Sequence, residues 1–245
     1  MANTTTGTTL FNPDLNEIME EAFERAGLEM RSGYDLRTGR RSLNFLLGEW
    51  ANHGINLWTV QEGDIILQTG VSTYDLPADT VDLIEHVIRT NANNPETQQD
   101  ISISRISVST YSQIPNKTTQ GRPVQVWINR QSGQNYPAGT GDYNPQIVVW
   151  PTPDATQQWI FHYWRLRRLQ DAGNGLNVQD IPFRFQEALV SGLAYKLALK
   201  QPDANPQRVV GLKQMYDEAW MLASEEDREK APVRFVPRNL FTGRY

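Results

Sequence analysis

The chain contains no cysteine, which excludes disulfides, thiolate metal centres and cysteine nucleophiles. Assembly in a reducing cytoplasm fits that absence. No apolar run approaches the roughly 20 residues a membrane helix requires, so no membrane partner is expected. The opening Met1-Ala2-Asn3-Thr4-Thr5-Thr6-Gly7 has neither a basic region nor an apolar stretch, and no signal peptide is expected. Histidine is scarce: His53, His86 and His162 stand far apart and form no HExxH-like pair. A GxSxG elbow, a phosphate-cradling glycine loop, a dinucleotide fingerprint and a calcium loop are all missing. The expectation is therefore a non-enzyme with no catalytic, metal or cofactor-binding residues and no cofactor. Positive charge is also in short supply. A net charge of −5 argues against a surface that binds nucleic acid throughout. The charge is compatible both with a protein that lets nucleic acid pass without holding it and with one that never meets it.

What is present is an ordinary globular composition, 39% hydrophobic and 21% charged, over 245 residues. That is enough to bury one large core or two small ones. Asn12-Pro13-Asp14, with Glu17 three residues after Asp14, predicts a capping box. Leu15, Ile18, Met19, Ala22, Phe23 and Ala26 then recur at helical spacing up to Gly27. A second helix is predicted over 35–52, with Leu43, Leu46, Leu47 and Trp50 as its apolar stripe. From residue 57 the period changes. Short β-like runs at 65–67, 71–76, 81–89, 124–128, 147–150 and 159–164 are separated by turn residues, the pattern of an antiparallel sandwich or small barrel. Polar stretches at 91–100 and 131–144 read as loops. Helix returns near Asp180, which is expected to cap it, with Phe185, Leu189, Leu193 and Leu197 forming the stripe. The last helix carries Val209, Val210, Leu212, Tyr216, Ala219, Trp220 and Ala223 on one side.

The tail breaks this pattern. Residues 231–245 hold two prolines, three arginines and no acid, and should be extended. Arg234, Phe235, Val236, Arg238, Leu240, Phe241, Arg244 and Tyr245 make it too apolar and too basic for an idle linker, so it is expected to lie on another surface.

The organisation expected is α+β: a flexible N-terminus at 1–13, an antiparallel helical bundle from 14–56 with 178–229, an inserted antiparallel β-sandwich or barrel-like domain at 57–177, and an extended C-terminal arm at 230–245.

Three clusters invite chemistry. Arg37, Arg40 and Arg41 sit near the positive end of the second helix dipole, either as a solvated face or as a patch for a partner's carboxylates or for DNA phosphate. Trp127, Trp150, Trp159 and Trp164 in the β segment could stack on sugars or bases, but tryptophans more commonly fill cores and interfaces. That leaves open a tail-associated carbohydrate- or receptor-binding module. The acids between Glu17 and Glu24 could supply a hydrolase pair, although acids along a helix face ordinarily just solvate it. The string Arg165-Leu166-Arg167-Arg168 suits a domain junction or a subunit contact.

Two phrases carry a resemblance. Gly70-Val71-Ser72-Thr73-Tyr74-Asp75-Leu76-Pro77 resembles the G-x-x-x-Y-x-L-P strand–turn signature of phage head-to-tail adaptors. Val149-Trp150-Pro151-Thr152-Pro153-Asp154, followed by an aromatic strand through Trp164, resembles a second element of such proteins. In this order, between two helix pairs, they are similar to podovirus adaptors of the tail tubular protein A and packaged-DNA-stabilisation type, over roughly residues 15–223. The resemblance implies a structural virion protein of the phage neck, assembled in the host cytoplasm. It implies a ring of copies, twelve in number, between the portal protein and the tail nozzle or tail tube protein, with double-stranded DNA passing through the channel and the arm at 230–245 reaching the portal or a neighbouring subunit. It transfers no catalytic residues.

Overall fold

The computed structural model describes residues 7, 11–31, 33–53, 57–91, 94, 96–130, 144–174 and 176–227. The fold is α+β, with five α-helices and sheets that are mostly antiparallel and close into no barrel among the described residues.

Helix α1 (Leu15–Ala26) begins as the sequence predicts. The Asp14 carboxylate accepts from the Glu17 N–H (3.0 Å), and the Glu17 carboxylate accepts from the Asp14 N–H (2.9 Å). It ends at Gly27, whose φ of +76° is the left-handed conformation that glycine tolerates. A Cβ there would also collide with the Arg208 guanidinium, which donates to the Arg25 carbonyl (2.9 Å) and so caps the helix end.

Helix α2 (Gly33–Trp50) buries Leu43, Leu46, Leu47 and Trp50. Helix α4 (Gln186–Ala198) differs from the single stripe expected. It buries Ala188 to Ala194 without a break, because it lies against α1, α2 and α5 (Pro206–Glu226) at once. Helix α5 buries only Leu212, Tyr216 and Ala223, and leaves Val210 exposed. Asp180 does not cap α4. Its carboxylate is taken by the Arg167 guanidinium (Nη2–Oδ1 2.8 Å), and a 3-10 turn at Phe183–Phe185 starts the helix instead.

Among the described residues, ten strands lie between α2 and α4: β1 (Val60–Leu67), β2 (Thr73–Asp75), β3 (Thr80–Thr90), β4 (Gln99–Ser102), β5 (Ser104–Ile106), β6 (Gln120–Gly121), β7 (Gln125–Asn129), β8 (Gln146–Trp150), β9 (Thr152–Pro153) and β10 (Trp159–Arg167). One sheet runs β1-β10-β3-β4 and is antiparallel throughout; a second runs β2-β8-β7-β5. The pairs β5–β7 and β6–β9 are parallel, which corrects the purely antiparallel expectation. The crossover that parallel pairing demands carries the short helix α3 (Val108–Ser112). Of the stretch at 91–100, residues 99 and 100 begin β4, which pairs antiparallel with β3, and Arg89 and Asp100 pair across the two strands (Nε–Oδ1 2.8 Å). Residues 131–143 lie outside the described residues.

Buried apolar side chains fall into two clusters. One gathers all four long helices together with Leu169 and Ala172. The other takes Leu67, Leu83, Ile88, Trp159, Phe161 and Tyr163 from the first sheet and Val126, Ile128, Ile147 and Val149 from the second.

Candidate functional site

The two phrases singled out in the sequence meet in space. Strand β2 pairs with β8 (Thr73↔Val148, Tyr74↔Ile147). The Gly70 N–H donates to the Pro153 carbonyl (3.0 Å), and the Thr69 hydroxyl to that of Asp154 (3.2 Å). Tyr74 explains its own place in the pattern. Its phenolic oxygen accepts from the Gln68 N–H (2.8 Å) and its hydroxyl donates to the Val71 carbonyl (2.8 Å), so one ring closes the β1–β2 turn. Burial pushes the Tyr74 phenol up from its ordinary pKa, which keeps that donor in place. Gly70 stands at φ +79°, and Leu76 is fully buried. On the other side the Asp154 carboxylate accepts from the Thr156 hydroxyl (2.6 Å) and the Trp159 indole N–H (3.0 Å). These bonds hold it below the usual carboxylate range. The Trp150 indole N–H donates to the Asn116 carbonyl (3.0 Å). Both phrases therefore lock turns against one another.

The four tryptophans of the strand region form no common platform. Trp159 is buried in the strand cluster, Trp127 stacks on Tyr111 (5.5 Å), and Trp164 meets His162 edge to face (4.5 Å). The arginine string is consumed within the chain. Arg165 pairs with Asp79 (2.5 Å), Arg167 with Asp180, and Arg168 with Asp171 (2.7 Å).

The histidines are dispersed. His53 lies on Trp220 (4.9 Å), and His162 Nδ1 sits 2.6 Å from Asp64 Oδ1. His86 stacks on Phe161 (5.8 Å) with neither ring nitrogen hydrogen-bonded. Burial, and next the charge of Arg105, push its pKa down against the opposing pull of Glu85. Of the α1 acids, Glu17 serves the capping box and Glu21 binds Arg25 (2.7 Å). Among the described residues, no three His, Asp or Glu side chains gather as a metal site.

The basic patch does exist as a surface. Arg37 and Arg41 are exposed and Arg40 is half-buried, and none has a carboxylate partner among the described residues. The fold adds a fourth cation, Lys200 at the end of α4. It donates to the Thr38 carbonyl (3.2 Å), and its pKa is lowered by burial and by the charge of Arg41. Sequence reading misses Lys200 because only the packing of α4 on α2 brings it there.

A second surface feature is a groove of about 520 Å³ between α1 and α4, rimmed by Phe11 and Phe183 and centred on Arg25 and Glu187. The Arg25–Glu187 pair holds the guanidinium pKa up and the carboxyl pKa down. No sequence signal marks this groove, since its two walls lie at opposite ends of the chain. The arm residues Arg234, Phe235, Val236, Arg238, Leu240, Phe241, Arg244 and Tyr245 lie outside the described residues.

No helix among the described residues is long and apolar enough to cross a membrane. A comparison with curated proteins finds no match. The family model described as SU10 adaptor protein matches residues 14–236, a span that holds every helix and strand described above. The chain belongs to that family, a family of phage head-to-tail adaptors, which bears out the resemblance carried by the Tyr74 and Trp150 phrases.

Proposed function

We propose that this adaptor is a ring subunit of the virion neck, joining the portal to the tail and forming part of the wall of the DNA conduit. The observation that carries the reading is the extent of the family match, which runs from the first helix cap through both hydrophobic clusters and on to residue 236, into the basic arm. A structural role accords with turns locked by backbone hydrogen bonds. A ring needs two unlike faces on each subunit, and it closes when the rotation between copies does.

Three parts are assigned to three contacts. The helices, 14–56 with 178–229, act as an antiparallel bundle for lateral packing. The strands, 57–177, act as an inserted sandwich-like unit whose loops meet the tail nozzle or tail tube protein. The arm, 230–245, reaches the portal. The Arg37, Arg40, Arg41 and Lys200 patch offers positive charge, with no carboxylate partner among the described residues, for a neighbouring copy's carboxylates or for passing DNA. Twelve copies and assembly in the host cytoplasm complete the reading.

Electron microscopy of the purified chain with and without the portal from the same genome tests it. Rings on the portal are expected, and their symmetry can be counted directly. A chain that stays monomeric beside the portal overturns the connector reading.

A further inference from the structure

The α1–α4 groove combines features that call for a particular ligand. Its rim is aromatic and unusually bare, with Phe11 80% and Phe183 78% exposed. Ile18 and Val190 supply an apolar floor. Among the described residues its charged groups are Glu17, Glu21 and Glu187 against Arg25, so three carboxylates face one guanidinium. That guanidinium is already held by two of them. The complement of this surface is an apolar segment bearing cations and no acid.

The chain carries such a segment, since residues 231–245 set Phe235, Phe241 and Tyr245 among Arg234, Arg238 and Arg244. The fold also delivers it to the right place. Asp227, the last described residue, is buried by its ion pair with Arg184 and by the Leu57 N–H (3.1 Å). Arg184 is the next residue after Phe183 on the groove rim. Residues 228–234, fully extended, span up to roughly 23 Å, ample reach from Asp227 to the groove. A tether of that length gives an effective concentration on the order of millimolar.

We infer that the α1–α4 groove holds the chain's own C-terminal arm in the free subunit, with Phe235 and its neighbours between Phe11 and Phe183 and the arginines over Glu21 and Glu187. The inference rests on the arm being the docking segment proposed above. It adds that the portal competes with this groove for the arm, so a subunit that has not met the portal keeps its apolar tail covered.

The absence of cysteine makes disulfide trapping in the full-length chain clean. Phe183→Cys is paired in turn with Phe235→Cys, Leu240→Cys and Phe241→Cys; Arg37→Cys, on α2, with the same three is the control. Both pairs share the tether, so under dilute oxidising conditions docking alone should make at least one groove pair close roughly tenfold faster than its control, and it should run as a cross-linked monomer. Disulfide-linked dimers would assign the groove to another copy's arm, and rates equal to the controls would remove the arm from the groove; either overturns the inference. A second readout needs no cysteine. Phe183→Ser, at an exposed ring, should speed tryptic cleavage after Arg234 and Arg238; an unchanged rate overturns the inference. Portal docking of a chain truncated before Phe235 is scored separately. Lost docking beside failed trapping removes only the groove, whereas retained docking removes the arm's portal role.

Discussion

Tyr216 ties α5 to α2, and its hydroxyl allows the tie to be measured. Its oxygen accepts the indole N–H of Trp50 (2.9 Å), and Trp50 is fully buried. Tyr216→Phe removes that acceptor and leaves the indole N–H without a partner, at a cost of about 1–3 kcal/mol near neutral pH. The same burial pushes the Tyr216 phenol up to about 12, against about 10 in an unfolded chain. Above pH 10 the unfolded state sheds this proton while the folded state keeps it, so stability falls as pH rises. The loss is about 1.4 kcal/mol by about pH 11 and about 2.3 kcal/mol by about pH 12, set by the difference between the two pKa values. Tyr216→Phe has no proton to lose there. Urea unfolding of both proteins at about pH 7 and about pH 11 should show the variant weaker at the lower pH and the gap closed by about 1.4 kcal/mol at the higher. A gap that stays constant across this range would refute the assignment of a buried, bonded phenol.

A Cβ at Gly192 would stand 2.8 Å from the Tyr216 ring, whereas one at Gly48 meets nothing. Gly192→Ala should therefore lose about 1–3 kcal/mol by overpacking, and Gly48→Ala should gain up to about 1 kcal/mol of helix propensity; urea midpoints separate the two. His86 is held neutral by burial, so its contribution is intact above the ordinary histidine range and declines as pH falls below about 6.5. His86→Phe should flatten that acid-side decline, and an unchanged acid profile would contradict it. Charge reversal at Arg37, Arg40 and Arg41 should weaken ring formation on the portal without lowering the unfolding midpoint, because none of the three has a carboxylate partner among the described residues. Unaltered assembly would return the patch to an ordinary solvated face.

Local chemistry was legible in the sequence wherever a residue's partner lay close along the chain. The Asp14–Glu17 box and the Gly27 stop close within a few residues, and each has the form its spacing predicts. Asp180 was misread because its partner, Arg167, ends a strand 13 positions earlier and outcompetes the orphan N–H groups of a helix start. The parallel pairs β5–β7 and β6–β9 leave no local mark, since alternation along a strand is silent about the direction of its neighbour. The continuous burial of α4 is visible in its run of small and apolar residues, but which helices surround it is decided by the closing of the whole chain. The same holds for Lys200 beside Arg41 and for the α1–α4 groove.

The placing of α4 among α1, α2 and α5 has a consequence for how the protein is made. Helix α1 leaves the ribosome with its apolar face complete, yet the surface that covers it is encoded from Gln186 onward. At ordinary elongation rates of about 5–20 residues per second, that face waits on the order of ten seconds for its partner. The strand cluster is fully encoded once Tyr163 is made, so it can close while α1 and α2 are still uncovered. Vectorial synthesis thus lets the strand core close first and leaves the apolar face of α1 uncovered until α4 has been made.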